Sequence, residues 1–231
     1  MARSDPVLEV KKFFEGLPIF SGLSESSIDL LLRDCRFKNI EKGEILFIQA
    51  DKSEAVYIVR NGSISIALIS PDGREMVINE MRSGDMFGEL GILTNLPRST
   101  SAVVRSKGEL LLIPSETFLR VLECEPQFAR RLLDLLAHRL QRSGERESAL
   151  AFMDAQARLA RLLLELDKLE QEKGYITISQ EELANRTGLI RQTVAKALGK
   201  WRRSGWLITG RGRIMVLDHK ALEEMGSKLL S

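Results

Sequence analysis

The chain has 231 residues, of which 44% are hydrophobic and 29% charged, a composition typical of a globular protein with room for two modest domains. No apolar run approaches the roughly 18 residues that a membrane helix needs, and the first residues lack the apolar core of a signal peptide. Cys35 and Cys124 stand far apart without a CxxC motif or a histidine companion, which argues against a disulfide framework and a metal site. We therefore expect a cytoplasmic protein.

The net charge of +2 is unevenly distributed. Residues 1–152 carry 20 Lys and Arg against 22 Asp and Glu, whereas residues 153–231 carry 14 against 10. The stretch 186–213 contains no acidic residue and eight basic ones, which are Arg186, Arg191, Lys196, Lys200, Arg202, Arg203, Arg211 and Arg213. A basic run is often only a solvated face, but one that coincides with a helix and a hairpin predicts a nucleic-acid-binding surface.

The first half of the chain changes from helical to strand patterning. Residues 7–36 predict short helices, with Ser24 as an N-cap. Residues 39–113 alternate short runs of Ile, Val and Leu with glycines, which predicts a compact antiparallel barrel or roll. Within it, Asn61 and Gly62 separate two apolar runs and predict a hairpin turn, and the stretch 70–73, SPDG, predicts a second turn.

The stretch 87–102, FGELGILTNLPRSTSA, holds the parts of an anion pocket. Gly88, Glu89 and Leu90 open a short helical turn whose free backbone N–H groups favour a negatively charged oxygen. Arg98 and Ser99 add a guanidinium and a hydroxyl suited to phosphate. A carboxylate repels phosphate, so Glu89 is better explained by a hydroxyl donor beside the phosphate, such as a ribose. Together these residues predict a nucleotide site.

The segment 115–152 is predicted to be helical, with a new helix starting at Pro126. Its apolar stripe consists of Phe128, Leu132, Leu135, Leu136 and Leu140. A long amphipathic helix that is exposed usually needs a partner, so we expect dimerisation along it. The alternative is that the stripe packs on the chain's own roll.

Residues 154–231 predict a second unit. The apolar positions of its first helix are Leu159, Leu162, Leu163, Leu166 and Leu169. A short strand follows at 175–178, and Ser179 then caps a helix with Glu182 at the capping-box position. A further helix at 191–203 precedes a two-stranded wing at 206–216. This order predicts a winged helix-turn-helix.

Six side chains of this unit are candidates for DNA contact. They are Arg191, Gln192, Lys196, Lys200, Arg211 and Arg213. The first three share one face near the start of the second helix, where Arg can bond guanine and Gln can bond adenine in the major groove. Lys200 lies further along the helix and suits phosphates. The last two belong to the wing.

The order of a roll, a long helix and a winged helix-turn-helix resembles the cyclic-AMP receptor protein / FNR family of bacterial transcription regulators, over nearly the whole chain. Residues 87–102 look like the family's phosphate-binding cassette, and RLQRSGERESALAFMD, at 139–154, is similar to its dimer helix and hinge. The resemblance implies an α+β fold. Its parts are a jelly-roll-like cyclic-nucleotide-binding β-roll at 1–120, a dimerisation helix and hinge at 121–152, and a winged helix-turn-helix at 153–231.

The resemblance also assigns roles within the cassette. Glu89 matches the family residue that accepts the ribose 2′-hydroxyl. Arg98 and Ser99 match those that hold the cyclic phosphate, and backbone N–H groups at Gly88 and Leu90 assist.

At the base end the chain departs from the family pattern. Ser143 falls where a hydroxyl residue contacts the adenine amino group, but Gly144 falls where the other subunit offers a second hydroxyl, so that contact is missing. Gln192 replaces an acidic residue, which implies a different operator at that base pair. Ile190 stands where a small hydroxyl residue is frequent, and Thr100 replaces a small apolar residue.

These features imply a dimeric, non-enzymatic transcription regulator that responds to a cyclic nucleotide, with cyclic AMP as the first choice. It would bind pseudo-palindromic double-stranded DNA and contact RNA polymerase, with no metal, haem or membrane involved. Two distant cysteines cannot hold an iron–sulfur cluster, which needs about four thiolates, and the lone His138 and His219 do not indicate haem.

Two alternatives stay open. One is a ligand-independent or differently liganded regulator of this family with a vestigial nucleotide pocket. The other is a roll that regulates an enzyme, although nothing after residue 152 offers a catalytic motif. Whether the protein activates or represses transcription is undecided. The base of the nucleotide is also undecided, because the Ser143 hydroxyl can bond adenine or guanine.

Overall fold

The structure is a computed structural model that describes residues 6–227, with side chains from residue 10 onwards. The described chain divides into two compact units. One runs to Ile69 and resumes at Ile78–Arg139, and the other comprises Ser70–Val77 and continues from Leu140. Helices combined with antiparallel sheets confirm the predicted α+β class. The expected domain boundaries at 120/121 and 152/153 stay a prediction.

The first unit is built on a six-stranded sheet with the strand order β1-β6-β3-β4, where β2 also pairs with β6 and β5 with β3. In chain order the elements are α1 (Pro6–Glu15), a 3-10 turn (Pro18–Phe20), α2 (Glu25–Asp34), β1 (Arg36–Ile40), β2 (Ile45–Phe47), β3 (Ala55–Ile69), β4 (Glu75–Met81), β5 (Met86–Phe87), α3 (Glu89–Thr94), β6 (Ser101–Pro114), α4 (Ser115–Cys124) and α5 (Pro126–Phe152). Ser24 caps α2 by accepting from the Ser27 N–H, as predicted.

The hairpin predicted at Asn61 and Gly62 is wrong, because both residues lie inside the single strand β3. The pairing of β3 with β6 shifts register there, and Gly62 has φ +93°. The left-handed glycine thus serves a bulge, which bends the ribbon without reversing the chain. Opposite it, a Cβ on Gly108 would lie 2.1 Å from the Asn61 carbonyl oxygen, so only glycine fits.

The turn predicted at residues 70–73 is confirmed as the reversal between β3 and β4. The Gly73 N–H donates to the Ser70 carbonyl at 2.8 Å, and the Ser70 N–H donates to the Arg74 carbonyl at 2.9 Å. Of the two predicted turns in this region, Asp72-Gly73 therefore forms one, whereas Asn61-Gly62 lies inside a strand.

The start of α5 packs into the core of its own unit rather than facing solvent. Phe128 and Leu132 are buried in a core that includes Phe20 and Phe118. The Phe20 and Phe128 rings stack with centroids 5.2 Å apart. For this part of the stripe, the interpretation that we did not favour is correct. Further along α5, Leu140 is 74% exposed.

Beyond α5, the described part of the second unit has four helices around a small sheet with the order β7-β9-β8. Its elements after α5 are α6 (Ala155–Leu169), a 3-10 turn (Gln171–Lys173), β7 (Ile176–Thr177), α7 (Gln180–Thr187), α8 (Arg191–Arg203), β8 (Leu207–Gly210), β9 (Arg213–Val216) and α9 (His219–Gly226). Ser179 caps α7 by accepting from the Glu182 N–H at 3.0 Å, as predicted. Of the apolar positions that define α6, Leu169 is the last residue of the helix and is 64% exposed.

Between residues 6 and 227, no helix combines the length and the apolar character needed to cross a membrane. In the same range, no group of three or more His, Cys, Asp and Glu side chains is arranged to hold a metal ion. Cys35 and Cys124 are both free thiols.

The bulge generates a testable prediction for stability. Gly108→Ala should lower the free energy of unfolding by about 1–3 kcal/mol, because its methyl group collides with the β3 backbone. Gly210→Ala is the matched control, since a Cβ there meets nothing within 4 Å. Urea unfolding followed by circular dichroism checks both variants. Equal midpoints for Gly108→Ala and the wild type would show that the bulge tolerates a side chain.

Candidate nucleotide pocket and DNA interface

The cassette is organised around the side chain of Arg98, which is only 5% exposed. Its Nη1 donates to the Gly88 carbonyl at 2.6 Å, and its Nη2 donates to the Ala55 carbonyl at 2.7 Å. Gly88 has φ +84° as the N-cap of α3, and a Cβ there would lie 2.7 Å from Nη1. Glycine is therefore required both for the backbone turn and for the approach of the guanidinium.

An aromatic wall completes the Arg98 site. The guanidinium carbon lies 4.3 Å from the centroid of the Phe47 ring and 5.6 Å from that of Tyr57, which are cation–π distances. Burial lowers the pKa of Arg98, although an arginine stays charged in proteins. Its Nε is buried and has no hydrogen-bond partner among the described residues. A buried cation with an unused donor favours an anionic ligand.

The main chain of Arg98 is fixed by a strained turn. The Arg98 N–H donates to the Asp51 carbonyl at 2.8 Å, and the Ala50 N–H donates to the Arg98 carbonyl at 2.9 Å. Ala50 has φ +74°, a conformation that residues with a Cβ seldom adopt. Strain of this kind is often found at binding sites, where the surrounding structure holds it in place.

Glu89 forms the second half of the pocket and is 2% exposed. Its Oε1 accepts from Arg139 Nη1 at 2.8 Å, and Arg139 Nη2 also donates to the Met86 carbonyl. The other carboxylate oxygen, Oε2, is buried without a partner in the described chain. A free acceptor of this kind needs a donor, and a ligand hydroxyl would supply one.

Sequence reasoning missed the part that Arg139 plays. The residue lies on α5, 50 positions from Glu89, and no spacing pattern connects the two. The only signal in the sequence was chemical, because a buried carboxylate needs a cation nearby.

The remaining predicted ligand residues are more exposed. Leu90, in the first turn of α3, and Ser99 both face solvent. Ser143 belongs to the second unit, on α5, where its hydroxyl donates to Glu147 at 3.4 Å.

The basic side chains of the helix-turn-helix that are candidates for DNA contact lie at the surface. On α8, the buried side chains are those of Val194, Ala197, Leu198 and Trp201. All six candidate DNA contacts are exposed, and they are Arg191, Gln192, Lys196, Lys200, Arg211 and Arg213. A cleft of about 410 Å³ between α7, α8 and the wing is lined by Arg191 and Arg211, so the structure brings helix and wing together there. The wing strand β9 also pairs with β7, which makes a three-stranded sheet.

A buried anion pocket followed by a basic helix-turn-helix defines a class of protein, the DNA-binding regulator with a ligand domain. Comparison with protein families agrees with this class. Residues 37–124 match the cyclic nucleotide-binding domain, and residues 157–225 match the Crp-like helix-turn-helix domain.

Relatives match nearly the full length of the chain. It is 32% identical over 212 residues to the cyclic AMP receptor protein of Thermus thermophilus, covering 91% of this chain and 97% of the relative. It is 30% identical over 210 residues to a CRP-like cAMP-activated global transcriptional regulator of Mycobacterium tuberculosis, covering 88% and 94%. The chain therefore belongs to the CRP/FNR family of transcriptional regulators, which are not enzymes.

Solved structures share this architecture. The c-di-GMP-responsive global regulator CLP of Xanthomonas campestris superimposes with a TM-score of 0.74 at 25% identity, over 84% of this chain and 99% of that one. A regulator of the CRP/FNR family from Eubacterium rectale has the same fold, with a TM-score of 0.78 at 21% identity over 91% and 98%.

The ion pair in the pocket generates the next prediction. Arg139→Leu should lower the free energy of unfolding by about 2 kcal/mol or more, because it leaves the buried Glu89 carboxylate without its cation. Adding Glu89→Gln to that variant should restore much of the loss, since an amide carries no charge. Arg130→Leu, at an exposed position of α5, is the control and should change stability by less than about 0.5 kcal/mol. If Arg139→Leu and Arg130→Leu lower the free energy of unfolding equally in urea, the Glu89–Arg139 ion pair does not stabilise the fold.

Proposed function

We propose that this regulator is switched by a cyclic nucleotide, with cyclic AMP as the preferred effector. The observation that carries the proposal is that the cassette buries both Arg98 and Glu89. Each has one buried polar atom without a hydrogen-bond partner in the described chain, Nε of Arg98 and Oε2 of Glu89. The buried guanidinium suits a phosphate, and the free carboxylate oxygen suits a ribose hydroxyl. A vestigial pocket has no need to keep both groups buried in this way.

The base end of the ligand would be read from α5. Ser143 offers a hydroxyl for the adenine amino group, and Gly144 offers none, so we expect one base contact from this pair. The relative from Thermus thermophilus is described as a cyclic AMP receptor protein and that from Mycobacterium tuberculosis as cAMP-activated, whereas CLP is described as c-di-GMP-responsive. The effector therefore has to be decided by titration of several nucleotides.

We further propose that the protein acts as a homodimer along α5. Leu133 and Leu140 are 66% and 74% exposed and lie seven residues apart, which is the spacing of a helix–helix seam. In such a dimer, the two α8 helices would enter successive major grooves about 34 Å apart on a pseudo-palindromic site.

On DNA, we assign base reading to Arg191, Gln192 and Lys196, and phosphate binding to Lys200 and the wing arginines. A regulator of the chromosome acts where the DNA lies, so we place it in the cytoplasm. Contact with RNA polymerase stays a prediction of the family resemblance.

The decisive variant is Arg98→Leu. It should weaken cyclic AMP binding by about 100-fold or more, because the buried phosphate loses its cation, while fold and dimer persist. Isothermal calorimetry with cyclic AMP, cyclic GMP and c-di-GMP measures the affinities, and sedimentation checks the dimer.

Arg120→Leu, at an exposed position of α4, is the control and should bind like the wild type. Unchanged nucleotide affinity in Arg98→Leu would refute the proposed pocket. DNA binding that is equally tight with and without nucleotide would favour the ligand-independent alternative.

A further inference from the structure

Gly199 occupies an unusual place in α8. The helix runs from Arg191 to Arg203 and buries one face in the core of the second unit. At about 100° per residue, Gly199 lies opposite that buried face, in line with Gln192 and Arg203. It is therefore a helix-interior glycine at the centre of the surface that carries the candidate DNA contacts.

Nothing in the described chain requires a glycine at this position. Its φ is not in the left-handed region, and a Cβ built there would meet only Arg203 Nη1, at 3.7 Å, an ordinary van der Waals contact. Alanine would fit and would stabilise the helix, because glycine is among the least favourable residues in a helix interior. The absence of a side chain therefore has no explanation within the fold.

The surroundings of Gly199 indicate an external reason. Lys196, Lys200 and Arg203 flank it on the same outward side, and all three are exposed. No acidic residue occurs between positions 186 and 213. A bare stretch of helix surrounded by cations fits a polyanionic chain, and glycine is typically used where a backbone must approach a ligand closely.

We propose that Gly199 is the point of closest approach between α8 and a DNA strand, where the sugar–phosphate backbone passes against the helix and its phosphates bind the flanking Lys200 and Arg203. This inference rests on the proposed binding of DNA by α8. A side chain at position 199 would hold the strand away from the helix and weaken the binding of phosphates by those two cations. The glycine thus positions DNA without reading its sequence.

The test uses the full-length variants Gly199→Ala and Gly199→Leu. Both should melt a few degrees above the wild type, by about 4–8 °C for the domain, because each restores helix propensity. Both should bind DNA more weakly than the wild type, and Gly199→Leu more weakly than Gly199→Ala. The affinity should fall by about tenfold near 0.1 M salt for each phosphate that no longer reaches a cation. The probes are a duplex selected by the wild type from a random pool and a random-sequence duplex, each with and without cyclic AMP.

Size-matched controls are Arg202→Ala and Arg202→Leu. Arg202 is exposed on the flank of α8. Both substitutions remove the same charge and differ only in size, so the two Arg202 variants should bind DNA with the same affinity as each other. In the Gly199 variants, affinity for both duplexes should fall together, and the slope of affinity against salt should decrease.

Three results would overturn the inference. The first is unchanged DNA affinity in both Gly199 variants. The second is a loss of affinity accompanied by a melting temperature below that of the wild type. The third is a loss of affinity that affects only the selected duplex. If the wild type itself binds neither duplex, the proposed function fails instead.

Discussion

The cassette at residues 87–102 is organised around one buried cation. Arg98 lies inside the N-terminal unit, where two carbonyls and the Phe47 ring hold its guanidinium and the turn at Ala50 holds its main chain. The carbonyls and the ring lower the cost of burying the charge, and the charges of Glu89 and Asp51 oppose the effect of burial on the pKa of Arg98. The buried Nε without a partner in the described chain favours an anionic ligand, and the glycine at position 88 makes room for the guanidinium.

The Glu89–Arg139 pair extends this site to α5. Arg139 bonds both Glu89 and the carbonyl of Met86, so the cassette and the long helix share a charged contact. A ligand shifts a conformational equilibrium only by its differential affinity for the two states. A hydroxyl that binds the free oxygen of Glu89 would change the surroundings of this pair, which offers a route from the pocket to the helix on which we propose dimerisation.

Local patterns predicted much of the fold, and contacts distant in sequence account for the rest. The bounds of α8 and the caps at Ser24 and Ser179 follow from periodicity and capping chemistry. The Asn61-Gly62 prediction failed because a left-handed glycine serves a bulge as well as a turn, and only the facing strand distinguishes them. The role of Arg139 could not be predicted either, because it depends on a contact across 50 residues.

The most direct test of the pocket compares two ligands on the wild-type protein. Calorimetry should show that cyclic AMP binds and that 2′-deoxy-cyclic AMP binds about tenfold or more weakly, because the analogue cannot donate to the buried Glu89 carboxylate. The difference should shrink in Glu89→Gln if the carboxylate is its source, because the neutral amide oxygen accepts a weaker hydrogen bond. Equal affinities of the wild type for the two nucleotides, or no binding of either, would contradict the account.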